Sequence, residues 1–98
     1  MIDLAPEQLE IVRRLLAVQV PDCEVRAFGS RVTGNARPYS DLDIILLGPT
    51  RLSIGRLAAL REAFAESELA IRVDVIDWNA ISKNFRNIIA AQFEILQN

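Results

Sequence analysis

Apolar residues recur near the start of the chain at Leu9, Val12 and Leu16, with Ile11, Leu15 and Val18 widening the stripe. That spacing predicts an amphipathic helix, and Pro6 sits where a first-turn proline is tolerated. Pro21 and Asp22 end it. "CEVRAF", Cys23 to Phe28, then reads as a short strand closed by Gly29. From Arg31 to Ser40 the chain turns to Gly, Asn, Arg, Pro and Ser, a loop begun by a helical turn. "DLDIILL", Asp41 to Leu47, is the clearest strand, and Gly48-Pro49 stops it. Ser53 is placed to cap a helix carrying Leu57, Leu60 and Phe64 on one face. "IRVDVID", Ile71 to Asp77, alternates as another strand. Ser82 would cap a last helix with Phe85, Ile88 and Ile89, and "FEIL" a final short strand. Strands alternating with helices predict an α/β or α+β domain, with helices packed on a small sheet.

The length of 98 residues suits one domain, expected to span 1–98. Hydrophobic residues make up 51% of the chain, which is high for a small domain. Such an excess suits either unusually complete packing or apolar surface covered by another protein or by a second copy of the chain. No apolar run reaches the ~18 residues of a membrane span, and the first residues lack the pattern of a signal peptide. With Cys23 as the lone cysteine, no internal disulfide forms, and a reducing cytoplasm is the expected address. The net charge of -2 offers no broad basic surface for a long polyanion, so extended nucleic acid is not expected as a partner. The chain has no histidine, which excludes Ser-His and Cys-His catalysis and the usual zinc sites. Any metal would take oxygen ligands, favouring magnesium or manganese.

Strand alternation points Asp41 and Asp43 the same way, while Leu42, Ile44 and Leu46 face the core. Two like charges at the edge of a core repel each other and are costly to desolvate. A divalent cation removes both penalties. Asp74 lies in the middle of another strand, between Val73 and Val75. If that strand neighbours "DLDIILL", Asp74 completes a three-carboxylate cluster suited to two-metal phosphoryl chemistry. The plainer reading gives Asp41 a turn role and pairs Asp74 with Arg72. Asp77 falls on the face opposite Asp74, at the strand end, and suits capping or turn duty.

Gly29 follows a strand and precedes a helical turn. Glycine alone pivots with positive φ and lets backbone amides approach a phosphate. Ser30 would grip the same anion, and Arg31 would add a charge-assisted contact to the phosphate tail. The turn is not a Walker loop, whose lysine is absent. A phosphate grip one loop away from a carboxylate pair is what a nucleoside triphosphate with bound magnesium requires.

"FGSRVTGNARPYSDLDIILL" resembles the signature of the minimal nucleotidyltransferases of the polymerase-beta superfamily: Gly-Ser, a loop, then Asp-x-Asp heading a strand. "RVDVIDW" resembles the later strand that supplies the family's third aspartate, and "VPDCEVRAFGSR" and "ISKNFRNII" extend the likeness over nearly the whole chain. The resemblance implies a small mixed sheet with helices mainly on one face. It implies two magnesium ions on Asp41, Asp43 and Asp74, and the β- and γ-phosphates of ATP or another triphosphate on Gly29 and Ser30. Asp74 would hold the catalytic metal and take the acceptor's proton. Arg31 and Arg37 match commonly basic positions. The implied activity is transfer of a nucleoside monophosphate, AMP from ATP, to a hydroxyl acceptor.

Larger relatives carry an added helical domain, which is not expected within these 98 residues. The stand-alone members are typically encoded beside a small all-helical protein, a substrate-binding subunit or a HEPN-type toxin, and some are antitoxins that transfer AMP to it. The alternative is a non-catalytic module that neutralises or scaffolds a helical partner. A phosphoacceptor receiver domain also sets aspartates at strand ends, but it runs longer and needs a late lysine that is missing here.

Overall fold

The computed structural model describes residues 1–98. Helix α1 (Pro6–Gln19) begins on its proline, β1 spans Glu24–Phe28, and a single helical turn, α2, spans Ser30–Thr33. β2 (Leu42–Leu47) leads to α3 (Ile54–Ala65), whose Ser53 cap accepts a hydrogen bond from the Arg56 amide. β3 (Val73–Asp77) ends in a 3-10 turn, Trp78–Ala80. Ser82 caps α4 (Lys83–Ala91) by accepting from the Phe85 amide, and β4 (Glu94–Gln97) closes the chain. Every element expected from the periodicity is present. All four strands start one or two residues later than expected, at Glu24, Leu42, Val73 and Glu94, and between β2 and β3 the Leu42 amide donates to the Arg72 carbonyl where pairing begins.

The sheet has the order β3-β2-β1-β4. β1 runs antiparallel to both β2 and β4, and β2 runs parallel to β3. The parallel pair needs a crossover, and α3 supplies it. One face is apolar: Val25, Ala27, Leu42, Ile44, Leu46 and Val75 pack against Val12 and Leu16 of α1 and Leu60 and Phe64 of α3. Truncating a fully buried residue there, such as Leu16, is expected to cost about 2–5 kcal/mol through lost burial and the cavity left behind.

The other face carries Asp43, and α4 covers part of it. Ile45 and Ile89 are both buried although neither belongs to the main core. Phe28 of β1 and Phe85 of α4 meet edge to face, 6.0 Å apart at 82°. The helices therefore lie mainly, but not solely, on one side. The uncovered remainder of the second face holds the aspartates.

Asp77 takes the role its position suggested. It is 3% exposed; Oδ2 accepts from the Leu52 amide at 2.8 Å and Oδ1 from the Asn79 amide at 3.0 Å. One carboxylate thus ties the start of α3 to the turn after β3. Cys23 is buried, and burial raises its thiol pKa, as expected of a packing residue rather than a nucleophile. No helix is long and apolar enough to cross a membrane.

Candidate active site

Strand register builds the site. Asp43 of β2 is the Cα partner of Phe28 on one side and of Asp74 on the other. Phe28 is followed by Gly29, so the glycine-serine turn, Asp43 and Asp74 form a row across three neighbouring strands. Asp41 stands one residue before β2, half-buried, and Asp74 is exposed at the sheet margin. Burial first, then the charges of Asp74 and Asp41, push the Asp43 carboxyl above its ordinary pKa. The three carboxylates are close enough to feel one another. As the side chains stand they do not close into a three-ligand metal group, in keeping with the repulsion between like charges.

Gly29 has φ +78, a conformation glycine adopts freely. An ideal Cβ at this position would overlap Asp43 Oδ2. The turn and the carboxylate therefore fit together only because residue 29 has no side chain. Ser30 is the first residue of α2, and the carbonyl of Gly29 accepts the amides of Val32 and Thr33 at 3.0 Å each. The leading amides of such a turn have no partner within it.

Arg31 departs from the expectation that it reaches a phosphate. It is 6% exposed, and its guanidinium points into the loop. Nη1 donates to the Asp3 carbonyl at 2.7 Å. Nη2 donates to the carbonyls of Ser40 at 2.9 Å and Pro38 at 3.1 Å, and Nε also donates to Ser40 at 3.0 Å. The stretch from Asn35 to Ser40 has no ladder to satisfy its carbonyls, and the five-donor fork of Arg31 supplies partners for those that turn inward. Arg31 positions the loop joining the glycine turn to Asp41. Arg37 is exposed within that loop, and its amide donates to Ser40 Oγ at 2.8 Å.

The donor set is all oxygen and carries more negative charge than its surroundings neutralise. That is chemistry suited to a hard divalent cation rather than zinc. Sequence reasoning missed two features of the surroundings. One is the Phe28–Phe85 contact, which sets the wall of the site beside Gly29. The other is a cleft of about 520 Å³ running along β3 to Asp74, whose residues, Leu69 and Ile71 among them, read in sequence as ordinary apolar positions.

A glycine-serine turn facing paired carboxylates across a mixed four-stranded sheet defines a nucleotidyltransferase. The chain belongs to the nucleotidyltransferase domain family, whose model matches residues 6–96. It is 44% identical over 96 residues to a Haemophilus influenzae protein named "Probable protein adenylyltransferase MntA", covering 98% of this chain and 84% of that one. Among solved structures, it is similar to a toxin-antitoxin crystal structure with AMP-PNP. The TM-score is 0.79 at 25% identity, over 92% of this chain and 73% of that chain. The fold is shared with a complex of a tri-AMPylated Shewanella oneidensis HEPN toxin and its MNT antitoxin. There the TM-score is 0.69 at 20% identity, over 94% of this chain and 71% of that chain.

Proposed function

We propose that this nucleotidyltransferase moves AMP from ATP to a hydroxyl on a small all-helical protein of HEPN type, and so acts as that protein's antitoxin. The observation that carries the proposal is the row Gly29, Asp43, Asp74, with Gly29 pressed against Asp43. The similarity to a protein adenylyltransferase and to a toxin-antitoxin with AMP-PNP supports the choice of nucleotide and partner. Gly29, Ser30 and the leading amides of α2 hold the β- and γ-phosphates. Asp41, Asp43 and Asp74 are the residues that would hold magnesium. When bound, two such ions supply charge neutralisation at the attacking and leaving oxygens. The acceptor oxygen attacks the α-phosphorus, its bond to pyrophosphate breaks, and the hydroxyl proton passes to the carboxylate of Asp74.

The test is incubation of the protein with its helical partner, magnesium and α-labelled ATP, followed by mass analysis of the partner. The expected gain is one or more AMP groups on the partner, abolished by Asp41→Asn with Asp43→Asn. Continued labelling by the double variant would remove the carboxylates from the mechanism. Silencing of the partner by the double variant, without labelling, would instead favour a binding module.

A further inference from the structure

In-line displacement places the entering oxygen opposite the departing one. Across this sheet the order is β3, β2, β1, with Gly29 at the end of β1, Asp43 on β2 and Asp74 on β3. Neighbouring strands lie ~4.8 Å apart, so the row spans ~10 Å from phosphate grip to outer margin. If pyrophosphate departs toward Gly29, the acceptor has to arrive from the β3 side.

A cleft waits at that side. It is lined by Phe64 of α3, by Leu69 and Ile71 of the segment leading into β3, and by Asp74, with Arg61 and Arg72 at its rim. α3 packs on the core face of the sheet, while Asp74 lies on the opposite face. A cleft touching both therefore wraps the free outer edge of β3. Most of the residues lining it are hydrophobic, but the surface it exposes is mixed, polar as much as apolar, and it ends on a carboxylate of the site. Arg72 is exposed and belongs to no ion pair. Arg61 is likewise unpaired with any acid, and its Nη2 donates to the Val75 carbonyl at 2.9 Å. That bond occupies part of the β3 edge, which disfavours addition of an extra strand and favours docking of side chains.

From this we infer that the cleft around β3 is the acceptor groove. It receives a segment of the partner protein that sets an apolar side chain over Leu69 and Ile71, acidic residues against Arg61 and Arg72, and the acceptor hydroxyl beside Asp74. The inference rests on the adenylyl-transfer reading of the site. A nucleic-acid acceptor suits the groove less well, because the chain's net charge is -2 and two arginines make no broad basic surface.

Two variants test it without touching the aspartates or the glycine turn. Ala70→Trp fills the cleft from an exposed position, and Arg72→Glu reverses the rim charge. Each is expected to raise the KM for the HEPN-type partner about tenfold, equivalent to ~1.4 kcal/mol. The dissociation constant for ATP with magnesium should stay within about twofold of wild type, a change of ~0.4 kcal/mol. Thermal melting of each variant confirms that it folds, and the two changes are chemically independent. If both leave the partner's KM unchanged while wild type transfers AMP, the groove is overturned and adenylyl transfer stands. A parallel loss of ATP affinity would assign the cleft to the nucleotide instead, and transfer onto RNA with the partner untouched would also overturn it. No transfer by wild type to any acceptor removes the functional reading, and the groove with it.

Discussion

Gly29 and Asp43 stand so close that a Cβ on the glycine would overlap the carboxylate oxygen Oδ2. Gly29 directly follows Phe28, the last residue of β1 and the Cα partner of Asp43 in the antiparallel ladder. The contact holds the phosphate-binding turn and the central acid in one rigid piece of sheet. The glycine is required twice over, for its positive φ and for its missing side chain.

The two requirements separate when Gly29 is compared with Gly34. Gly34 also has positive φ, +87, but an added Cβ there meets nothing within 4 Å. Gly34→Ala is expected to cost about 1–2 kcal/mol of stability from backbone strain alone, and to leave kcat close to wild type. Gly29→Ala carries more strain, because φ +78 with ψ -155 is a region essentially reserved for glycine while Gly34 is left-handed helical, and it also displaces the Asp43 carboxylate. Misplacement of a reacting group by ~1 Å can cost about 100-fold in rate, so kcat/KM should fall at least that far. Melting temperatures and steady-state rates of the two alanine variants measure this. Equal rate losses at both positions would show that strain, not contact with Asp43, makes Gly29 necessary.

Asp43 predicts a pH dependence whose sign follows from its surroundings. Burial, then Asp74, then Asp41 raise its carboxyl pKa, so the folded chain holds this proton more tightly than the unfolded one. In the absence of divalent cations its contribution to stability is fullest below the unfolded value near 3.8. It declines as pH rises through that value to the raised folded one. Asp43→Asn should therefore melt higher than wild type in chelator at pH 7, with the gap closing in acid. Added magnesium should raise the melting temperature of wild type more than that of the asparagine variant, because binding to the folded state alone stabilises it. A variant that melts lower than wild type at pH 7 in chelator would contradict the charge repulsion.

Periodicity alone located all the helices and strands, because each element buries a clear stripe or alternating face. The DLDIILL strand shows why: Leu42, Ile44 and Leu46 all vanish into the core, which forces Asp43 onto the other face. Asp74 was harder to place, since its role depends on β3 lying parallel beside β2, a pairing that no local pattern states. Ile45 illustrates the limit. It shares the Asp43 face, yet it is fully buried, because α4 folds back over that side. The β3 cleft was hidden for the same reason: Phe64 and Ile71 meet only in three dimensions. The Gly-Ser-Arg spacing suggests an anion grip by Arg31, while the carbonyls its guanidinium meets lie in the loop and beyond it, at Asp3, which no local pattern states.

That loop gives the remaining prediction. Arg31 is buried and donates to the carbonyls of Asp3, Pro38 and Ser40 through three different nitrogens. Lysine keeps the charge, but its single compact ammonium cannot match a fork aimed at carbonyls in several directions. A phosphate contact made through charge alone would tolerate Arg31→Lys; a loop organised by the fork would not. Hydrogen bonds to charged groups contribute about 1.5–3 kcal/mol each, so losing one or two of them should lower stability by ~1.5 kcal/mol or more. Because Ser40 adjoins Asp41, the same change should loosen the first motif aspartate and lower kcat/KM. Denaturant unfolding, together with hydrogen exchange across residues 31–41, reads both effects. An Arg31→Lys variant with wild-type stability and exchange, but weakened ATP binding, would return Arg31 to the phosphate.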